Sequence, residues 1–398
     1  MRGRFPFFRS LYPLLLVRRL VLALLFALFS LGHAAANPML LVDMDNLDVL
    51  FAQDAGQPWH PASLTKLMTA YVTFEEIAKG TVTLDTPVIL SKNAINQAPS
   101  KSGLPLGSAL TLKDALYVML VKSANDVAMA IAETVGGSEA GFVVKMNDVA
   151  SRMGLTATHY ANPNGLHDPA QVTSARDLAV LSLYIRQSFP QYLPIFGTGA
   201  VMLNGKALES ENKLLESFAG TTGMKTGFVC ASGLNMVATV ERNGRKLLAV
   251  VLGGSSARDR NERAAELMLK GFSGAVQASG QNVLALGNTR GATPVDMRPL
   301  ICGKDAKAYV ATQEAAFPMG MVGQPSYLND TVPPSTYTAT DLGRIAVGVN
   351  LPRPRPTHLP VFTAPVAEAS LAADLRPGVP VVAGNPSVPF PRPRPGNL

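Results

Sequence analysis

Pro61-Ala62-Ser63-Leu64-Thr65-Lys66 opens an apolar run in which Leu64, Leu67, Met68, Tyr71, Val72 and Ile77 recur at helical spacing until Gly80. Pro61 suits a first helical position, because proline lacks only an N–H that a helix start leaves unpaired. Ser63 and Lys66 are three residues apart, so on this helix both side chains reach one face. A serine hydroxyl is a weak nucleophile and needs a neighbouring base. Lysine can be that base only when neutral, a state favoured by burial and by a second nearby cation. A serine at a helix N-terminus also has backbone N–H groups close to where an oxyanion would develop. Alone, the tetrad is equally consistent with an exposed helix that carries a lysine for solubility.

Two distant segments change its weight. Ser123-Ala124-Asn125 precedes an apolar helical run and, by itself, reads as ordinary capping residues. Lys225-Thr226-Gly227 falls where the hydrophobic period has switched to two, and a glycine at a strand edge leaves room for an extended substrate along the backbone. If that strand lies beside the helix, Lys225 is the second cation that Lys66 requires. The three segments occur in the order Ser-x-x-Lys, Ser-x-Asn, Lys-Thr-Gly, which is a far more specific signal than any one of them.

Around these segments, Met39–Val42 and Asp48–Phe51 read as a hairpin about Asp43-Met44-Asp45-Asn46. Helical patterns cover 112–121, 126–133, 139–153 and 175–188. Leu234–Val240 and Leu247–Leu252 flank Asn243-Gly244, the strongest hairpin signal in the chain, and 260–272 reads as an amphipathic helix. The fold class expected is α/β: an antiparallel sheet flanked by helices, with a separate helical lobe. Beyond about Gly274 the periodicity fades, and Pro352-Arg353-Pro354-Arg355-Pro356 recurs as Pro391-Arg392-Pro393-Arg394-Pro395, which predicts a largely disordered C-terminal tail.

The ends also decide the charge. Arg2, Arg4, Arg9, Arg18 and Arg19 precede an apolar run from Leu20 to Leu31 and then Ala34-Ala35-Ala36, the order of a secretory signal peptide; an uncleaved anchor is the alternative. The formal charge of +7 falls to +2 once those five arginines are set aside, and the arginine-rich tail accounts for most of the remainder. The globular part is nearly neutral, which argues against nucleic-acid binding. In an exported chain Cys230 and Cys302 can form a lasting disulfide, although two free thiols fit the sequence too. Neither histidine nor carboxylate spacing suggests a metal site, and no cofactor is expected.

The runs His60-Pro61-Ala62-Ser63-Leu64-Thr65-Lys66, Lys122-Ser123-Ala124-Asn125-Asp126, Asn162-Pro163-Asn164-Gly165-Leu166, Ser174-Ala175-Arg176-Asp177-Leu178 and Gly223-Met224-Lys225-Thr226-Gly227 together resemble the serine D-alanyl-D-alanine carboxypeptidases, the low-molecular-weight penicillin-binding proteins. The resemblance spans about 37–272 and implies the β-lactamase/DD-peptidase-like fold. It implies that Ser63 attacks the carbonyl between two terminal D-alanines of a peptidoglycan stem peptide, with Lys66 taking its proton. Ser123 would relay a proton to the departing amine, Asn125 would hold the substrate amide, and Lys225 and Thr226 would bind the terminal carboxylate. The backbone N–H groups of Ser63 and Phe228 would form the oxyanion hole, and Arg260 is the best match for a carboxylate-binding arginine, with Arg258 two residues away. β-Lactam antibiotics would acylate Ser63.

The implied organisation is a signal peptide at 1–36, a catalytic domain at 37–275, a short extension at 276–302 that a disulfide could clip to the sheet, and the tail at 303–398. Family members commonly end in a small β-rich domain and an amphipathic membrane helix, neither of which is legible here, so a soluble periplasmic or cell-envelope enzyme with weak membrane contact is expected. A β-lactamase of the same fold would carry a deacylating Glu-x-x-Leu-Asn segment, and none lies between Ser123 and Lys225. A scaffold protein that keeps the fold would not need its catalytic side chains. A transpeptidase would need an acceptor site that sequence does not reveal.

Overall fold

The computed structural model describes residues 37–345; the signal-peptide and Pro-Arg readings at 1–36 and 346–398 lie outside the described residues. In chain order the strands are β1 (Met39–Asp43), β2 (Val49–Gln53), β3 (Pro87–Ile89), β4 (Ser108–Thr111), β5 (Ala200–Leu203), β6 (Lys206–Glu209), β7 (Thr221–Val229), β8 (Gly233–Arg242), β9 (Arg245–Gly254), β10 (Thr336–Thr338) and β11 (Asp341–Arg344). The main sheet is antiparallel in the order β2-β1-β9-β8-β7, which leaves β7 at an edge. Its organising hairpin is β8–β9, where Asn243 and Gly244 both take positive φ, 51° and 78°, as a two-residue turn between twisted strands requires.

Helix Ala257–Ser273 packs on one face of this sheet through Ala264, Ala265, Leu267 and Met268, which meet Met236, Ala238, Leu247 and Ala249. The other face carries the helical lobe, where Thr65–Ala78 is buried on nearly every side against Leu112–Val121, Asn125–Gly136, Glu139–Arg152 and Ala175–Ser188. Most of these helices start on a hydroxyl cap: Thr111, Ser138, Ser174 and Ser256 each accept the N–H three residues on. Helix Thr65–Ala78 does not, since a short 3₁₀ turn at Ala62–Leu64 leads into it with no side-chain cap. The Ser63 hydroxyl is therefore not consumed by the helix end.

The stretch 303–345, read from composition as part of a disordered tail, carries structure. Residues 306–316 form a helix, β10 pairs in parallel with β5, and β11 pairs with β4. These strands are three and four residues long and mostly exposed, so they dock by backbone ladders and show no apolar period. For the same reason the small sheets β10-β5-β6 and β11-β4-β3 were absent from the reading of the sequence.

Candidate active site

Ser63 sits on a turn that its neighbours fix from both sides. Ala62 adopts φ +50°, an uncommon conformation for a residue with a side chain, of the kind that persists where surrounding structure over-determines it. Gly227 of β7 lies over this turn, and a Cβ there would fall 2.9 Å from the Ser63 nitrogen and 3.1 Å from that of Leu64. From the other side Gly165, at φ +86°, would place a Cβ 2.0 Å from the Ala62 carbonyl oxygen. Both glycines are thus required by close backbone approach. The reason differs from the one read in the sequence: Gly227 makes room for the nucleophile's own turn rather than only for a substrate.

Lys66 is fully buried, and its Nζ donates to Ser63 Oγ at 3.0 Å, to Asn125 Oδ1 at 2.7 Å and to the Asn164 carbonyl. Burial pushes its pKa well below the usual lysine value, and the Lys225 charge pushes it further in the same direction, opposed by the carboxylate of Asp126. Asp126 does not pair with Lys66; it accepts from the backbone and hydroxyl of Ser102 at 3.0 and 2.7 Å. The base is therefore desolvated, beside a second cation, and in hydrogen-bond contact with the hydroxyl it would deprotonate.

Asn125 is the first residue of its helix, and the cap position belongs to Ala124, which makes no side-chain cap. The Asn125 side chain is free to span the cleft instead, accepting from Lys66 and donating from Nδ2 to the Ala98 carbonyl at 2.9 Å. Ser123, partly buried, is held at φ +62° immediately before it. The capping reading of Ser123-Ala124-Asn125 thus gives way to one in which Ala124 occupies the cap and Asn125 reaches Lys66.

On the sheet side, Lys225 and Thr226 are buried in the edge strand, and the Lys225 Nζ donates to the Thr226 carbonyl at 3.0 Å. Burial brings the Lys225 pKa down to about 7, and the Arg260 guanidinium adds to that effect. Arg260, buried at the start of helix Ala257–Ser273, donates to the Glu211 carbonyl and to Asn261 Oδ1, both at 3.0 Å. Arg258 turns away and donates to the Phe317 and Met319 carbonyls. The structure thereby separates the two arginines that sequence left close: Arg260 is the one whose charge Lys225 feels.

Phe228 is half exposed, two residues before Cys230. Cys230 and Cys302 lie at an S–S distance of 2.04 Å with Cα atoms 5.7 Å apart. Histidines stay outside the cleft chemistry: His60 Nδ1 contacts the Gln171 carbonyl at 3.0 Å, His159 Nδ1 contacts the Ala170 carbonyl, and His167 pairs with Arg298 rather than with an aspartate. Trp59 is buried with its indole N–H on the Ser232 carbonyl at 2.9 Å.

Two contributors escaped the sequence reading. Asn164 entered only within the Asn162-Pro163-Asn164-Gly165-Leu166 run that carries the resemblance, with no role of its own, yet its carbonyl is an acceptor for Lys66. Ser102 joins the wall through Asp126, and the 98–102 loop is further tied by the Asn125 N–H to the Ser100 carbonyl at 2.7 Å. A serine in a Gly/Pro-rich loop carries no periodic or motif signal that would have found it.

The arrangement can be set beside known proteins. A family model described as D-alanyl-D-alanine carboxypeptidase matches residues 29–256. D-alanyl-D-alanine carboxypeptidase DacD of Escherichia coli K12 is 32% identical over 273 residues, covering 63% of this chain and 70% of that protein. DacF of Bacillus subtilis 168 is 29% identical, and this chain spans 64% of its length. Among solved structures, penicillin-binding protein D2 of Listeria monocytogenes, in its cefotaxime-bound form, superposes with a TM-score of 0.55 at 30% identity, over 60% of this chain and 97% of that one. The matched span holds every cleft residue just described except Arg260, and on those grounds the chain belongs to the D-alanyl-D-alanine carboxypeptidase family of serine peptidases.

Proposed function

We propose that this protein removes the terminal D-alanine from peptidoglycan stem peptides ending in D-Ala-D-Ala through an acyl-serine intermediate, and that β-lactams acylate the same serine. The observation that carries the reading is the buried Lys66 Nζ, 3.0 Å from Ser63 Oγ, with its proton affinity lowered by burial and by Lys225. Ser63 Oγ attacks the penultimate carbonyl as its proton passes to Lys66. The tetrahedral oxyanion is met by the N–H groups of Ser63 and Phe228. Collapse breaks the C–N bond, and the departing amine takes a proton through Ser123, leaving D-alanine and an ester on Ser63. Water, deprotonated by the same lysine, then attacks the ester, and the serine recovers its proton. Asn125 holds the peptide amide, while Lys225, Thr226 and Arg260 face the terminal carboxylate.

Support for β-lactam acylation is the similarity to the cefotaxime-bound Listeria protein. The Arg-rich, apolar and Ala-Ala-Ala segments of residues 1–36 support export to the periplasm or cell envelope. The test is release of free D-alanine from a diacylated peptide ending in D-Ala-D-Ala, together with labelling by a fluorescent penicillin. Wild type should do both and Ser63→Ala neither; labelling of the Ser63→Ala variant would overturn the acyl-serine assignment. A crosslinked dimeric peptide as main product would instead identify a transpeptidase.

A further inference from the structure

Beyond Gly227 the cleft acquires a wall that the carboxypeptidase motifs do not supply. If the leaving residue's carboxylate faces Lys225 and Arg260 and the scissile carbonyl lies over Ser63, the remaining acyl-donor peptide must run the other way along the free edge of β7, past Phe228 and Val229. At about 3.3 Å per residue, Val229 lies roughly 7 Å and Cys230 roughly 10 Å beyond Gly227, the reach of the next one or two substrate residues with their side chains. There, Val229 packs closely beside Ala62, Gly165, His60, His167 and Asp168, which form the wall behind the strand.

Segment 296–302 is docked against this end of β7. Cys302 is joined to Cys230, the Met297 N–H donates to the Ala231 carbonyl at 3.1 Å, and the Met297 side chain is buried so closely against Gly233 that a Cβ there would meet its sulfur at 2.8 Å. Between these anchors stands Arg298, whose side chain is half exposed. Its Nε donates to Asp296 Oδ1 at 3.1 Å, and its Nη2 lies 2.6 Å from His167 Nε2. His167 acts as the acceptor, because burial and the neighbouring Arg298 and His60 hold its pKa down. A guanidinium has five N–H donors in a planar fork, so these contacts orient it without using it up.

We infer that Arg298, pinned by Asp296, His167 and the Cys230–Cys302 bridge, is a specificity residue that binds a carboxylate carried by the acyl-donor peptide just before its penultimate D-alanine. The substrate class selected is an acidic peptide. Asp296 offsets part of the positive charge, and the remaining donors suit bidentate carboxylate recognition, for which arginine is better shaped than lysine. This assignment rests on the proposed carboxypeptidase activity.

The test compares acetyl-Glu-D-Ala-D-Ala with acetyl-Gln-D-Ala-D-Ala, which differ in charge and hardly in shape. Wild type should favour the glutamyl peptide by about tenfold in kcat/KM, mostly through KM, and the preference should shrink as salt is raised. Arg298→Ala should bring the ratio close to one, Arg298→Lys should retain part of it, and Cys302→Ser should lower it by releasing the segment. Penicillin labelling reports whether each variant is folded. D-Alanine release from both peptides at equal rates by wild type, or an unchanged ratio in Arg298→Ala, overturns the Arg298 assignment alone. Release from neither peptide overturns the activity on which it rests.

Discussion

The catalytic region at 37–275 and the chain that follows it, 276–345, are held in place by different physics. The first is a continuous apolar interior, in which Phe74 packs against Phe189, Tyr192 and Phe196 with ring centroids 4.3 to 6.4 Å apart. The second buries little beyond Val283, Met297 and Ala339. It is fastened by directed contacts: Arg176 donates to the Leu284 and Leu286 carbonyls at 2.8 and 3.1 Å, the Glu262 carboxylate accepts the Tyr327 N–H at 2.8 Å, and the Tyr337 hydroxyl donates to Asp114 at 2.7 Å. One region is a product of burial and the other of stapling, so they should fail separately.

The largest effect expected is in the core. Phe74→Ala, at a fully buried site, should cost about 3–5 kcal/mol in denaturant unfolding and should destabilise the whole enzyme. Next, Cys302→Ser opens a 72-residue separation that the chain-entropy model values at up to about 4 kcal/mol. Limited proteolysis should then cut within 276–345 while the remaining chain resists. Equal protection of both regions in this variant would show that the polar contacts alone suffice and would break the contrast.

Lys225 gives a smaller and oppositely signed effect. Its folded pKa of about 7 lies below that of the unfolded chain, so the unfolded state binds more protons between about 7 and 10.5 and stability should rise with pH across that window. Lys225→Met should remove the penalty and raise the unfolding free energy at pH 6 by on the order of 1–2 kcal/mol, read by denaturant melts, while weakening carboxylate binding. In the free enzyme acylation should speed up with pH as Lys66, its pKa lowered by burial and by Lys225, deprotonates, while loss of the Lys225 charge near pH 7 should raise KM; stopped-flow acylation can separate the two. The smallest effect should come from Lys246→Ala, which breaks the exposed pair with Asp45 and should move stability by no more than about 0.5 kcal/mol.

Legibility in the sequence followed the same division. Helix Ala175–Ser188 and the β8–β9 hairpin were readable because a period and a turn signal coincide there. Ser63, Lys66, Asn125 and Lys225 were recognisable as motifs, and their convergence follows from a helix laid across an edge strand. What could not be read was anything carried by single backbone groups or isolated side chains: the Asn164 carbonyl, the reason for Gly165, the choice between Arg258 and Arg260, and the docking of 303–345. These depend on which surfaces meet, and no local composition encodes that.

The open edge of β7 has one more consequence. An unpaired strand edge is a template on which other chains can add, and exposed edges of this kind favour aggregation. Here the Ser63 turn packs against the strand at Gly227 and the Cys230 bridge stands at its end. The same backbone groups that would nucleate a misplaced sheet are thus the ones a peptide substrate uses, and each bound peptide caps the edge while it stays.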